Sequence, residues 1–409
     1  MPPKRNTEFS ELSNKLHASI AKEIRQNEGI YFTPRAARAR LFEILREHSV
    51  MPTRILEPSC GSGEFVDDAH TLYPEAHITA VEKNESIYNE LEKKYNTTPN
   101  ITLYHMDFLE YESPTELPDL IIGNPPYFVT KTKNPACMTG RPNIYVEFLY
   151  RCLTTHLESD AVLAFILPTS LYNAAYYEPM RKYIYNNCQI LHVETLGAAS
   201  FDGTTQDTML LVIKKSPPTN HAFFYCVGDS HYISPYYKEL AELTAGSTTL
   251  RELHAIVKTG QVVWNQEKDK LLDDPEGAVP LIYSTNIVDR TLVLGNIEDR
   301  SGTKKQYIKG FHKAPLSGSA LLINRGYGNV YKFNYARVSM PAYYAENHVN
   351  VVVGPAECGD EFYEMLAASL EDERTALFVK YFVGNGGLSA SEIQNLLPIY
   401  REDHALTEH

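Results

Sequence analysis

Leu120-Ile121-Ile122-Gly123-Asn124-Pro125-Pro126-Tyr127 is the stretch on which the fold of this 409-residue chain turns. Leu120–Gly123 is apolar on both alternating sets of positions, the pattern of a strand buried on both faces of a parallel sheet. The tetrapeptide Asn124–Tyr127 then falls at the carboxyl end of that strand, the edge where open α/β sheets bind ligands. Two successive prolines fix two φ angles and withdraw two backbone donors. What remains is a stiff corner with a side-chain amide oxygen and free backbone carbonyls. A flat planar amine fits there, with Tyr127 as a stacking surface. The plainer reading is a strand that ends in a Pro-Pro turn.

Outward from this corner, strands and helices alternate. Strands are expected at 54–57, 77–82, 101–106, 120–122 and 161–167. Helices are expected at 34–46, 64–72, 85–95, 144–156 and 176–185, and a polar, helical arm over 1–28. Such alternation predicts a doubly wound, mostly parallel α/β sheet. Two β-rich runs, 190–196 and 208–214, would close it as an antiparallel edge hairpin. Ser216-Pro217-Pro218 marks a change of texture. From about residue 245 the βα rhythm gives way to short strands and turns, with a helical stretch near 360–381. The predicted organisation is an arm (1–28), a catalytic domain (29–244) and a mixed α+β domain (245–409).

Composition narrows the function. A net charge of −13 excludes a uniformly basic surface, so any contact with nucleic acid must use a local basic cleft. The longest apolar run, Ala161–Leu167, is too short to span a bilayer, so no membrane role is expected. Six cysteines without a Cys-x-x-Cys pair predict reduced thiols, no zinc site and a cytoplasmic location.

The first strand runs into Glu57-Pro58-Ser59-Cys60-Gly61-Ser62-Gly63. The two glycines allow a tight turn and close backbone approach. The third glycine of the dinucleotide fingerprint is missing, which disfavours a nicotinamide dehydrogenase, and without a phosphate-loop lysine a phosphate cradle is not expected. Glu57 would repel a pyrophosphate but suits an ammonium or sulfonium. Glu82, ending the second strand, can accept hydrogen bonds from a ribose diol. Asp107-Phe108, ending the third, can take an adenine amine and pack on its ring, although an Asp here is more often a cap. Three such positions on consecutive strand ends describe a pocket for an adenosine with a charged amino-acid tail, which S-adenosylmethionine fits.

Taken together, these motifs resemble the γ class of amino-DNA methyltransferases, which act on the exocyclic amine of adenine. Tyr31-Phe32-Thr33-Pro34 precedes the glycine loop, Asn124–Tyr127 follows it, and a recognition domain comes last. The resemblance implies a seven-stranded Rossmann-like S-adenosylmethionine-dependent domain and a target recognition domain over 245–409. It implies that Thr33 contacts the methionine tail and that Glu57, Ser59, Gly61 and Gly63 line the methionine and ribose. Glu82 would hold the ribose, Asp107 and Phe108 the adenine, and Phe148 would pack beside it. Phe201 matches a second aromatic that stacks on an extruded base. Asn124, Pro125, Pro126 and Tyr127 would form the catalytic corner.

The implied activity is sequence-specific methylation of adenine N6 in double-stranded DNA, by an enzyme of, or derived from, a restriction-modification system. The resemblance leaves room for a cognate restriction endonuclease acting on the same site. A monomer is the expected state. In the C-terminal part, Trp264, Asn286, Lys304, Lys305, Lys309 and Arg325 are expected to contact DNA through phosphates and base edges. Two rivals stand beside this: a methyltransferase of RNA or protein glutamine, and a non-catalytic DNA-binding module.

Overall fold

The computed structural model describes residues 8–113, 116–131, 133–197, 207–295, 297–299, 302–326, 330–383 and 387–401. Phe201 lies outside them. The chain divides into two compact units, residues 1–237 and 238–409.

The first unit opens with three helices, α1 (Glu11–Ser19), α2 (Lys22–Glu28) and α3 (Arg35–Glu47). The sheet strands are β1 (Arg54–Glu57), β2 (His77–Glu82), β3 (Ile101–His105), β4 (Leu120–Gly123), β5 (Val162–Pro168), β6 (Gln189–Leu196) and β7 (Thr208–Lys214). Between them lie α4 (Glu64–Leu72), α5 (Glu85–Tyr95), α6 (Ile144–Arg151) and α7 (Glu178–Asn187). The strand order is β3-β2-β1-β4-β5-β7-β6. All neighbours pair in parallel except β7, which runs antiparallel to both β5 and β6. The expected hairpin is therefore present, with its second strand inserted between β5 and the edge.

The apolar runs are continuous because both faces of the sheet are covered. Ile121, Leu163 and Phe165 pack into one core. Their alternating neighbours Leu120, Ile122, Ala164 and Ile166 pack into the other. A period of two thus divides one apolar run between two cores. The strand order reverses between β1 and β4, which opens a crevice at their carboxyl ends.

Local differences from the sequence reading have local causes. The expected helix over 144–156 is α-helical only to Arg151; Cys152–His156 widens into a π-turn. That turn brings His156 against Phe108 and Tyr111, with ring centroids 5.1 and 5.5 Å apart. Helix α7 starts at Glu178, with a proline in its first turn, where the missing N–H costs nothing.

The second unit holds another seven-stranded sheet. Its order is Ile256–Thr259, Val349–Val353, Leu316–Asn324, Tyr335–Ala345, Val279–Ile282, Tyr307–Ile308, Leu271–Leu272. Two helices, Asp360–Glu371 and Glu373–Phe382, occupy the predicted helical stretch, broken at Asp372, which caps the second. No helix among the described residues is long and apolar enough to cross a membrane.

Candidate active site

The crevice is built by the turns that follow β1 to β4. After β1, Gly61 and Gly63 adopt φ of +51° and +78°. Gly63 has no room for a side chain: a Cβ there would meet the Tyr95 hydroxyl and come within 3.0 Å of Leu91 Cδ2. The Gly61 N–H donates to Glu82 Oε2 at 2.9 Å, and the Asn84 N–H donates to Glu82 Oε1 at 2.7 Å. Glu82 therefore ties the glycine turn to the end of β2. Burial pushes its carboxyl up to about 7, against the pull of the N–H donors.

Glu57 is 2% exposed. Its Oε2 is buried and has no hydrogen-bond partner among the described residues. Burial, then the neighbouring Glu82, holds the group well above the usual carboxylate range. An unpaired buried acid is costly unless something supplies its partner. A cationic ligand tail would do so.

Asp107 caps the short turn it begins, its Oδ1 accepting from Leu109 N at 2.9 Å, while Oδ2 pairs with the exposed Lys83 at 2.7 Å. Phe108 and Phe148 lie 4.8 Å apart, tilted by 43°, and form an aromatic wall. His156 backs that wall and was not anticipated, since nothing in a lone histidine at a helix end announces such a place. Burial and Arg151 lower its pKa to about 4, so it packs as a neutral ring.

The Asn124 side chain is held at both ends. Its Nδ2 donates to Thr33 Oγ1 at 3.1 Å and lies 3.5 Å from Tyr31 O. Its Oδ1 accepts from the Tyr127 hydroxyl, which also lies 2.7 Å from Ile166 O. The Tyr127 ring lies at 83° to that of Tyr145, and its hydroxyl, bonded to Asn124 Oδ1 and Ile166 O, anchors Asn124. Burial keeps that hydroxyl protonated.

Two further supports escaped the sequence reading. Gly29, at φ +66°, caps α2 and lies so close to the corner that a Cβ would sit 2.9 Å from Tyr127 N and 3.0 Å from Pro126 Cβ. Arg38, 6% exposed, pairs with Glu64 and Asp68 at 2.9 and 2.7 Å and also donates to Thr33 O. An arginine in an amphipathic helix looks like a solvated one; only the tertiary contacts reveal its role in holding Thr33.

A cavity of about 360 Å³ gathers Ser59, Gly61, Glu82, Asp107, Phe108, Asn124, Pro126, Ile144 and Phe148, together with the unanticipated Phe128. An annex of about 30 Å³ shares its Ser59, Gly61 and Asn124 walls and adds Thr33 and Glu57. Gly63, Pro125 and Tyr127 stand behind these walls. The residues fit the expected cofactor: a diol acceptor, an aromatic slot and a buried acid for a cationic tail lie along one crevice.

In the second unit the expected nucleic-acid contacts separate. Lys304 Nζ lies 5.1 Å from the Trp264 ring centre and Lys268 Nζ 4.9 Å, so two cations flank one half-buried indole. Lys305 pairs with Asp273 at 2.9 Å. Lys309 and Arg325 are exposed. Asn286 does not fit the expectation that it reads a base. It is 2% exposed, accepts from Tyr283 N at 2.8 Å, and donates to Val293 O at 2.8 Å and Gln306 Oε1 at 3.0 Å. Its amide is consumed in closing a buried turn.

An antiparallel strand inserted next to the edge of an otherwise parallel sheet separates this fold from dinucleotide-binding sheets, and the unpaired acid beside the glycine turn suits a sulfonium cofactor. The first unit is an S-adenosylmethionine-dependent methyltransferase. Residues 20–201 match the family model of the Eco57I restriction-modification methylase. The chain is similar along its whole length to two proteins of Paramecium bursaria Chlorella viruses. The type II methyltransferase M.CvrRI of virus XZ-6E is 29% identical over 400 residues, 96% of this chain and 99% of its own. The modification methylase CviBIII of virus NC1A is 29% identical over 400 residues, 95% of this chain and 98% of its own. A tRNA1(Val) (adenine(37)-N6)-methyltransferase of Vibrio cholerae is 33% identical over 127 residues, 29% of this chain and 52% of its own.

Proposed function

We propose that this protein methylates the N6 amine of an adenine within a short specific sequence of duplex DNA, after the base has left the stack. The observation that carries this reading is the fixed amide of Asn124 on the wall shared by the two cofactor cavities. Its nitrogen is tied to the Tyr31–Thr33 segment, which fixes the orientation of the amide. A carbonyl oxygen has two lone pairs. One takes the Tyr127 hydroxyl; the other is left for a substrate amine.

The N6 lone pair of adenine is delocalised into the ring and is a weak nucleophile. Asn124 Oδ1 and the Pro125 carbonyl would accept its two N–H groups, localise the lone pair and stabilise the charge that develops on nitrogen. The bound cofactor supplies an electrophilic sulfonium methyl. Asn124 and Pro126 would hold the amine in line with it. No strong base is required, because the protonated product amine is acidic. No cysteine takes part: Cys137 is fully buried, and burial and Glu147 push its thiol up, so it stays protonated.

Extruding the base costs on the order of a few kcal/mol. Phe128, half-buried on the cavity wall, is a described aromatic placed to meet it, and Phe201 is the second candidate. Duplex DNA is favoured over RNA by the extent of the similarities. The tRNA enzyme matches less than a third of the chain, whereas the two viral methylases also match the second unit. That unit would read the sequence, with Trp264, Lys304, Lys305, Lys309 and Arg325 supplying contacts. One asymmetric reader suffices for a monomer, and a cognate endonuclease acting on the same site would be a further partner.

Expression in a methylation-deficient bacterial host, followed by long-read mapping of plasmid DNA, tests this. The expected result is N6-methyladenine at a single sequence motif. Modified cytosine, or unmodified plasmid from cells containing folded protein, would overturn the proposal.

A further inference from the structure

The segment Ile30–Phe32 is a wall between cavities. On one side it lines the cofactor crevice. It also lines a separate recess of about 80 Å³, bounded by Phe9 before the first helix, by Asn14, His17 and Arg25 of the first two helices, and by Tyr31. Arg25 stands in the last turn of α2, one turn before the glycine that packs on Pro126 and Tyr127. Its Nε is buried and has no hydrogen-bond partner among the described residues. A guanidinium nitrogen taken out of water without an acceptor is unfavourable, which marks a position whose acceptor arrives with a ligand. Among the described residues no carboxylate lines the recess, so the ligand must bring the negative charge.

Resting on the reading that the substrate is DNA, we propose that Arg25 and its recess clamp a backbone phosphate of the target strand next to the extruded adenine. Three observations point to this anion. The planar guanidinium fork matches a phosphodiester's paired oxygens, and aromatic rings beside it suit the attached sugar. The recess adjoins the corner directly, because Tyr31 lines it and the Tyr31 carbonyl lies within reach of the Asn124 amide. The chain carries a net charge of −13, so cations able to face DNA must be placed locally, and the buried Nε of this one has no hydrogen-bond partner among the described residues. The clamp would draw the strand toward the corner while the base turns in, a positioning role and not a chemical one.

The test uses the full chain and a short duplex bearing the mapped site. Wild type, Arg25→Gln and Arg25→Lys are titrated with the duplex over a series of salt concentrations, and S-adenosylmethionine binding is measured separately by calorimetry. Arg25→Gln is expected to weaken duplex binding about tenfold and to lower the salt slope by about one. Arg25→Lys should recover part of the loss, with cofactor affinity unchanged in both. A neutral methylphosphonate beside the target adenine should weaken wild type but not Arg25→Gln. If Arg25→Gln folds, binds the duplex like wild type and keeps the wild-type slope, the clamp is refuted while DNA methylation stands. If cofactor binding is lost instead, the anion is the cofactor carboxylate and the proposal is wrong. If wild type itself neither binds nor methylates the duplex, the DNA reading fails and the clamp falls with it.

Discussion

The two units use the same kinds of side chain in opposite ways. In the first, Glu57, Glu82, Asp107 and Asn124 all lie at the carboxyl edge of one sheet, and each lines the crevice or its annex. In the second, Asn286, equally polar in sequence, is consumed inside a buried turn, while Lys304 spreads over an indole. The difference teaches what leaves a trace in sequence. Chemistry on a fixed cofactor needs particular groups at strand ends, where the pattern of apolar runs announces them. A recognition surface needs only complementarity, which many arrangements of residues satisfy.

The comparison breaks most visibly at Asn124. Asn124→Ala is expected to slow methyl transfer on the order of 10²–10³-fold, by analogy with loss of a preorganised hydrogen-bonding group. Cofactor affinity should be little changed, so single-turnover rates and calorimetric titration together separate chemistry from binding. Near-normal rates would remove Asn124 from the catalytic corner.

Asn286→Ala probes the opposite unit. It leaves Tyr283 N and the Gln306 amide short of partners and should cost roughly 1–3 kcal/mol of stability. Chemical denaturation measures this. Duplex affinity of the folded fraction should stay near wild type; a selective change in sequence preference at full stability would make Asn286 a base reader after all.

Glu82 sharpens the contrast through pH. In the proposed role its carboxylate form would accept hydrogen bonds from the cofactor's diol, so cofactor affinity should fall as pH drops below about 7, by up to about tenfold per unit. Glu82→Gln should flatten the profile. The stability of the unliganded protein should run the other way. Its raised pKa means that the folded chain keeps a proton that the unfolded chain releases near 4.5, so Glu82 makes stability decline as pH rises from about 4.5 to about 7. Thermal melting across that window reads the sign.

Tyr127→Phe is the smallest test. It removes the hydroxyl that restrains Asn124 but keeps the ring. A loss of roughly 1 kcal/mol, about fivefold in the single-turnover rate, is expected. A faster variant would show that the hydroxyl competes with the substrate amine for Asn124 Oδ1.

The layout of the first unit was legible because a doubly covered sheet demands uninterrupted apolar strands, and β4 and β5 show them plainly. The acids that line the crevice were legible because each ends or closely follows such a strand. The supports were not. Gly29 is an ordinary helix terminator until Pro126 is seen packed on it, and Arg38 is one arginine among several until its burial is known. Tyr127 shows the sharper limit: its place beside Asn124 is written in the chain, but the direction of its ring depends on Tyr145 and the Ile166 carbonyl, 18 and 39 residues away.

By itself the amino-acid order determined where strands end and which polar groups stand there, because apolar periodicity and proline act over a few neighbouring residues. Only the tertiary structure decided which of those groups are spent on the protein and which remain for a ligand. Burial and hydrogen-bond satisfaction depend on segments far apart in the chain, and the same amide lines the crevice at Asn124 and is a structural strut at Asn286.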